Sequence, residues 1–238
     1  MCSIRGLRNP DSDSTVHYVP LDWSCHPDAG RIPRYDPRQL PMCSHVQFLS
    51  NAQEVVTAQT RAKEERLAKL YGIKGQTILV NLDSLSFPLS FPYDFMHLIY
   101  ENLIKNLISF WTNDYKDLDV ETGSYTIDAT IWEAIGAATS MASNTIPSAY
   151  SARLGSISGD RSTFTADNYS FWALYIGPVL LQRRFQKQCY YNHFVQLICL
   201  INICLKFEYS VVDLKAISEG FVNWVLTYER CFSVVCFL

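Results

Sequence analysis

Asp94-Phe-Met-His-Leu-Ile-Tyr-Glu-Asn-Leu-Ile-Lys-Asn-Leu-Ile-Ser-Phe-Trp111 is the most regular stretch of this sequence. Met96, Ile99, Leu103, Leu107 and Trp111 recur at steps of three and four, the period of an amphipathic helix with one apolar stripe. Pro92 holds the chain extended just before it, so Asp94 is expected to open the helix and cap its first turn. The fold therefore reads as mainly α.

The same reasoning extends toward the C-terminus. Thr130-Ile-Trp-Glu133 matches a capping box, with Asp128 or Thr130 starting the helix. Residues 143–163 are rich in Ser and Gly and read as a loop. Phe164 to Gln182 reads as partly helical, broken near Gly177-Pro178, where proline removes a donor and clashes with the preceding turn. Gln188 to Phe207 is nearly all apolar, which predicts a central helix. Ser210-Val-Val-Asp213 opens the last one, carrying Phe221, Trp224, Val225 and Tyr228.

Toward the N-terminus the order weakens. Ile78 to Leu85 is a short apolar run that suits a strand, and the prolines of Phe87-Pro88-Leu-Ser-Phe91-Pro92 exclude helix there. Asn51 to Leu70 reads as one solvated helix, with Gly72 as its C-cap. Residues 1–45 hold six prolines and no sustained period. The expected division is an irregular segment at 1–45, a solvated helix and extended linker at 46–92, a helical domain at 93–230, and a short tail at 231–238.

Hydrophobic residues make up 48% of the 238 and charged residues 18%, which suits a folded chain with one good core. A net charge of −3 offers no general attraction to a polyanion, which counts against a free-standing DNA-binding domain. The first twenty residues contain no apolar run of the signal-peptide kind, and Phe194–Leu205 is too short to span a bilayer. No membrane partner is expected. Of the eight cysteines, Cys189, Cys199 and Cys204 fall in a helical pattern and read as reduced, buried, small apolar residues of an intracellular protein.

Asp94 and His97 stand at i and i+3, so a carboxylate and an imidazole share one helix face. Such a pair can orient the ring, tune its proton affinity, or support a metal site from behind. The plainer reading is a capping Asp beside a surface His, with Glu101/Lys105 an ordinary ion pair. Arg183 and Arg184, with Lys187, lie beside Tyr190 and Tyr191 and could hold a phosphate or stack on a base; they equally suit a solvated helix end. Cys25-His26 and Cys43-Ser-His45 match no common zinc spacing. There is no phosphate-binding glycine loop and no Gly-x-Ser-x-Gly elbow.

Pro92-Tyr-Asp-Phe-Met-His-Leu-Ile-Tyr-Glu-Asn-Leu103 resembles the Asp-x-Met-His helix of CACTA (En/Spm-type) DNA transposases. The likeness runs on through Ser84–Pro92, Lys105–Thr112, Tyr125–Gly136, Thr145–Ser148, Thr165–Leu181 and Tyr190–Trp224, and Cys2-Ser-Ile-Arg-Gly6 looks like the end of a Cys-x-x-Cys element. It covers residues 2–229; the tail from Cys231 does not look like the family. The resemblance implies the helical region of an RNase H-like α/β domain, incomplete here. In that family three acidic residues hold two Mg²⁺-type ions for DNA strand cleavage and joining. Two of them fall upstream of a position like Met1 and the third beyond Glu229, so only Asp94 and His97 carry over, as supports of an active site. The resemblance thus implies a truncated transposase derivative with no metal bound by this chain alone, whose intact relative acts on transposon ends in the nucleus. The alternative is a domesticated helical interaction module that meets a protein partner, or itself, through exposed apolar surface. A metal hydrolase built on Asp94, His97 and Glu101 is disfavoured, because one helix rarely encloses an ion.

Overall fold

The computed structural model describes residues 21, 35–114, 124–147, 149–150 and 153–232, the side chain of Phe232 excepted. The described residues are mainly helical and contain no strand. They fall into two compact units, one reaching Tyr93 and the other starting at Asp94.

In the first unit, the expected single helix over 51–70 is two. Helix α1 spans His45–Val56 and α2 spans Arg61–Tyr71. Threonine chemistry makes the break. Thr57 ends α1, its hydroxyl turning back to the Gln53 carbonyl at 2.8 Å, and the Thr60 hydroxyl accepts the Lys63 N–H to start α2. Gly72 closes α2 at φ 68°, a left-handed C-cap that a residue with a Cβ adopts only at a cost. The candidate strand at 78–85 is instead a single 3-10 turn, Ile78–Asn81, capped by Thr77; among the described residues no strand lies beside its apolar run to pair with it, and Ile78 is exposed. Phe87 is buried in a stack between Phe48, 4.7 Å away, and Phe91, 5.0 Å away.

The second unit is a helical assembly. A π-helical stretch, Met96–Ile104, runs without a break into α3 (Lys105–Trp111). After it come α4 (Ala129–Ser143), α5 (Ala166–Phe171), a second π-helical stretch (Trp172–Ile176), α6 (Gly177–Leu180), α7 (Gln188–Cys204) and α8 (Val211–Phe232). The π geometry corrects the expected stripe. Ile99, Tyr100, Ile104, Leu107, Ile108 and Trp111 are buried, whereas Met96 is exposed and Leu103 only half-buried. The buried face runs through Tyr100, Ile104, Leu107 and Trp111 at steps of four and three, one position on from Leu103, with Ile99 and Ile108 beside it. Asn102, five residues beyond His97, donates its side-chain amide to the His97 carbonyl at 2.6 Å.

A π turn also answers the expected break at Gly177-Pro178. The chain stays helical across 166–180, and the widened Trp172–Ile176 turn precedes Pro178, which sits at the start of α6 where its missing N–H costs little. Gly177 is needed because a Cβ there would lie 3.0 Å from the Trp172 ring.

Aromatic side chains fill the core. Trp111 meets Phe185 and Phe194 edge-on, each 5.3 Å away, and Trp172 donates its Nε1–H to Thr139 at 3.2 Å. Helix α7 is central, as its composition predicts, with Tyr190, His193, Phe194, Leu197, Ile198, Leu200 and Ile201 buried. Helix α8 opens on a capping box at the expected place: the Ser210 hydroxyl accepts from Asp213 N, and the Asp213 carboxylate accepts from Ser210 N. It continues through Phe232, two residues into the tail expected from 231. Cysteines depart from expectation: Cys189 and Cys199 are exposed and Cys204 half-buried, because the core face of α7 is occupied by larger side chains. Among the described residues no helix is long and apolar enough to cross a membrane.

Candidate functional site

Asp94 uses both carboxylate oxygens. Oδ1 accepts the N–H groups of Met96 at 2.9 Å and His97 at 3.3 Å, so it caps the first turn as Pro92 predisposes it to do. Oδ2 lies 2.7 Å from His97 Nδ1. On the other side of the ring, Nε2 is 3.4 Å from Glu101 Oε2. The imidazole is held between two carboxylates on one helix face. The sequence pairs Glu101 with Lys105 at i and i+4; the equally spaced His97 is the partner found beside Glu101.

The electrostatics follow from this placement. The hydrogen bond to Asp94, then its charge, then the charge of Glu101 hold the His97 pKa above its ordinary value. The same hydrogen bond, with the two backbone donors, holds Asp94 below the ordinary carboxylate range. All three groups are open to solvent, with the His97 side chain 66% exposed. The arrangement fixes the orientation of the ring and favours its protonated form.

It does not suit a resident Mg²⁺. The ion wants six oxygens in near-octahedral array, while both Asp94 oxygens are already bonded and the helix has only Glu101 left to give. Among the described residues no group of three or more His, Cys, Asp or Glu side chains is placed to hold a metal. Cys2, Cys25 and His26 lie outside the described residues. His45 is occupied in the first unit, its Nδ1 accepting the Phe87 N–H at 2.9 Å.

Arg183, Arg184 and Lys187 are exposed on the connection from α6 to α7. Arg183 has φ 60°, a left-handed conformation uncommon for a residue with a Cβ. The helix-end reading holds only in part: the arginines follow the C-terminus of the four-residue α6, but Lys187 stands at the N-terminus of α7, where the dipole disfavours a cation. The two tyrosines differ in access: Tyr190 is buried and Tyr191 half-buried. The Tyr190 hydroxyl is 2.9 Å from Ser124 Oγ, and the Tyr191 hydroxyl donates to the Pro178 carbonyl at 2.7 Å. Arg184 instead lines a small cleft with Thr130, Ile131, Ala134 and Leu180.

Two polar features have no counterpart in the sequence reading. His193 is buried between α7 and α8, its Nε2 3.0 Å from the Trp224 carbonyl, while the Trp224 Nε1–H donates to the His193 carbonyl at 3.0 Å. The rings stack at 4.4 Å. Burial lowers the His193 pKa, which keeps the ring neutral. Arg161 ties the 153–163 connection to the end of α3: its guanidinium donates to Thr112 Oγ1 at 3.2 Å and Asp114 Oδ2 at 2.6 Å. A lone His among apolar residues and a lone Arg in a loop give no periodic signal.

Comparison with known protein families, curated proteins and solved structures finds no match for this chain.

Proposed function

We propose that this chain is the helical region of a CACTA (En/Spm-type) transposase, part of an RNase H-like domain, and that it does not cleave or join DNA by itself. The observation that carries the reading is the Asp94–His97 contact at 2.7 Å, on the helix whose sequence resembles the family's Asp-x-Met-His element. Its rigid geometry and exposure suit a support that aligns neighbouring catalytic groups in an intact relative. There, acidic residues outside this chain supply the Mg²⁺ sites, transposon-end DNA is the substrate, and the nucleus is the place of action. Arg183, Arg184 and Lys187, all exposed, are the candidates for phosphate contact.

The test is direct. Purified chain with Mg²⁺ or Mn²⁺ and transposon-end DNA is expected to leave the DNA intact, with wild type and His97→Ala alike. Cleavage that survives re-purification and disappears in His97→Ala overturns the proposal.

A second reading, a helical interaction module, is favoured by one surface. Phe207, Tyr209, Val211, Val212 and Leu214 are all exposed around the α7–α8 turn. Clusters of this kind mark contact surfaces in soluble proteins. Light scattering across a concentration series tests it: self-association lost in Val212→Asp favours the module, and a monomer throughout disfavours contact with a second copy.

A further inference from the structure

Helices α7 and α8 pack antiparallel, and two contacts fix their register. The reciprocal His193–Trp224 bonds are one. The other is Leu200 against Gly220, where an added Cβ would fall on the leucine's Cδ2. Eleven residues back from Leu200 along α7 is Cys189, and eleven residues on from Gly220 along α8 is Cys231. Eleven residues is about three helical turns, so each cysteine returns to the face its helix presents at the Leu200–Gly220 contact. The register therefore brings Cys189 opposite Cys231.

Both are free thiols, Cys189 exposed and Cys231 half-buried. They sense each other: burial raises the Cys231 pKa most, the neighbouring Cys189 raises it further, and Arg230 and Lys187 pull it down. An exposed thiol within hydrogen-bonding reach of a half-buried one is an arrangement in which the first can attack and the second resolve.

We propose that Cys189 and Cys231 form a redox-responsive pair that closes into a disulfide across α7 and α8 on exposure to an oxidised thiol of the glutathione disulfide class. The Cys189 thiolate attacks one sulfur of glutathione disulfide and expels a glutathione thiolate, leaving a mixed disulfide. The Cys231 thiolate then attacks the Cys189 sulfur and expels the second glutathione. The protein loses two electrons and two protons, and one glutathione disulfide becomes two glutathiones. The bridge staples the end of the hairpin remote from its turn, closing a loop of about 40 residues and restricting the unfolded chain. The inference stands apart from the transposase reading.

The experiment equilibrates the full chain in glutathione buffers from fully reduced to fully oxidised, blocks remaining thiols by alkylation, and maps cross-linked peptides without reduction. A Cys189–Cys231 peptide is expected as the first intramolecular bridge. Its formation should raise Tm by roughly 5–10 °C, a rise absent in both Cys189→Ser and Cys231→Ser. A different first bridge, Cys189 held as the glutathione adduct, or an equal Tm rise in either variant overturns the proposal. The peptide map uses wild-type protein, so it decides the matter even if a variant folds poorly.

Discussion

Gly136→Ala is the sharpest test of how the 153–163 connection packs on α4. In the middle of an exposed helix, this change stabilises by about 1 kcal/mol, because alanine loses less backbone entropy. Here the sign should reverse. A Cβ at Gly136 would lie 2.8 Å from Ser158 Cβ and 2.5 Å from Ser156 Oγ, with Ser158 Oγ closer still. Rotating one serine hydroxyl relieves little, since the Ser158 Cβ is itself in the way, so the connection must move. Overpacking of this kind costs about 1–3 kcal/mol. Displacement also strains the Ser156–Ser158 hydroxyl contact at 2.9 Å and the Ser143 hydroxyl's bond from Leu154 N at 2.8 Å, each worth about 1 kcal/mol. The net expectation is a loss of about 1–3 kcal/mol. Gly220→Ala is the comparison, because the one atom its Cβ overlaps is a terminal methyl of Leu200, the movable end of a side chain, whereas at Gly136 a Cβ is in the way. Urea unfolding followed by tryptophan fluorescence reads the second unit through Trp111, Trp132, Trp172 and Trp224. Gly136→Ala at or above wild-type stability, or no less stable than Gly220→Ala, would refute the packing.

Three further outcomes are expected. His193 has a folded-state pKa below the ordinary 6.5, so the unfolded chain binds its proton more readily, and the neutral ring stabilises the second unit above about pH 6.5. That contribution should fade as pH falls from 6.5 through the lowered folded value; urea midpoints across pH for wild type and His193→Gln check it, and equal slopes would count against a buried neutral ring. His97, raised by Asp94 and Glu101, should titrate by NMR above the ordinary histidine value and fall in Asp94→Asn, with the imidazolium's attraction lost as pH rises through the folded pKa; an unmoved titration would leave only a helix cap. Arg161→Met should cost about 1 kcal/mol in urea unfolding by removing the bonds to Thr112 and to Asp114, whose side chain is 72% exposed, and Arg161→Lys should restore only part because ammonium cannot reproduce the fork.

The elements written in periodic or capping chemistry were legible: the Ser210–Asp213 box, the Gly72 terminus, and α7 as the central helix. Asp94 as cap and His97 as its neighbour were legible for the same reason, since i and i+3 meet on any helix. Features set by tertiary competition were not. A period of three and four cannot show a π turn, and the stripe it predicts includes Met96, which is exposed; for Glu101, spacing alone does not choose between His97 and Lys105, each four residues away. The Ile78–Leu85 run has strand composition, but a strand needs a partner elsewhere in the chain. Tyr190 and Tyr191 are adjacent in the sequence and read alike, but only Tyr190 is buried, its hydroxyl against Ser124, because it falls on the core face of α7.

The widened stretch at Met96–Ile104 gives this helix room to change length by one residue. A π turn holds one residue more than an α turn, so deleting a single exposed residue there, such as Leu98, would let the stretch relax toward α geometry while Ile104, Leu107, Ile108 and Trp111 keep their places in the core. The five-residue turn and the four-residue turn each close about one circle, so the residues N-terminal to the deletion would keep nearly the facing they have. Asp94 and His97 would stay together on the same side of the helix. The stretch is thus a one-residue buffer, in which a lost codon is absorbed without turning the polar pair.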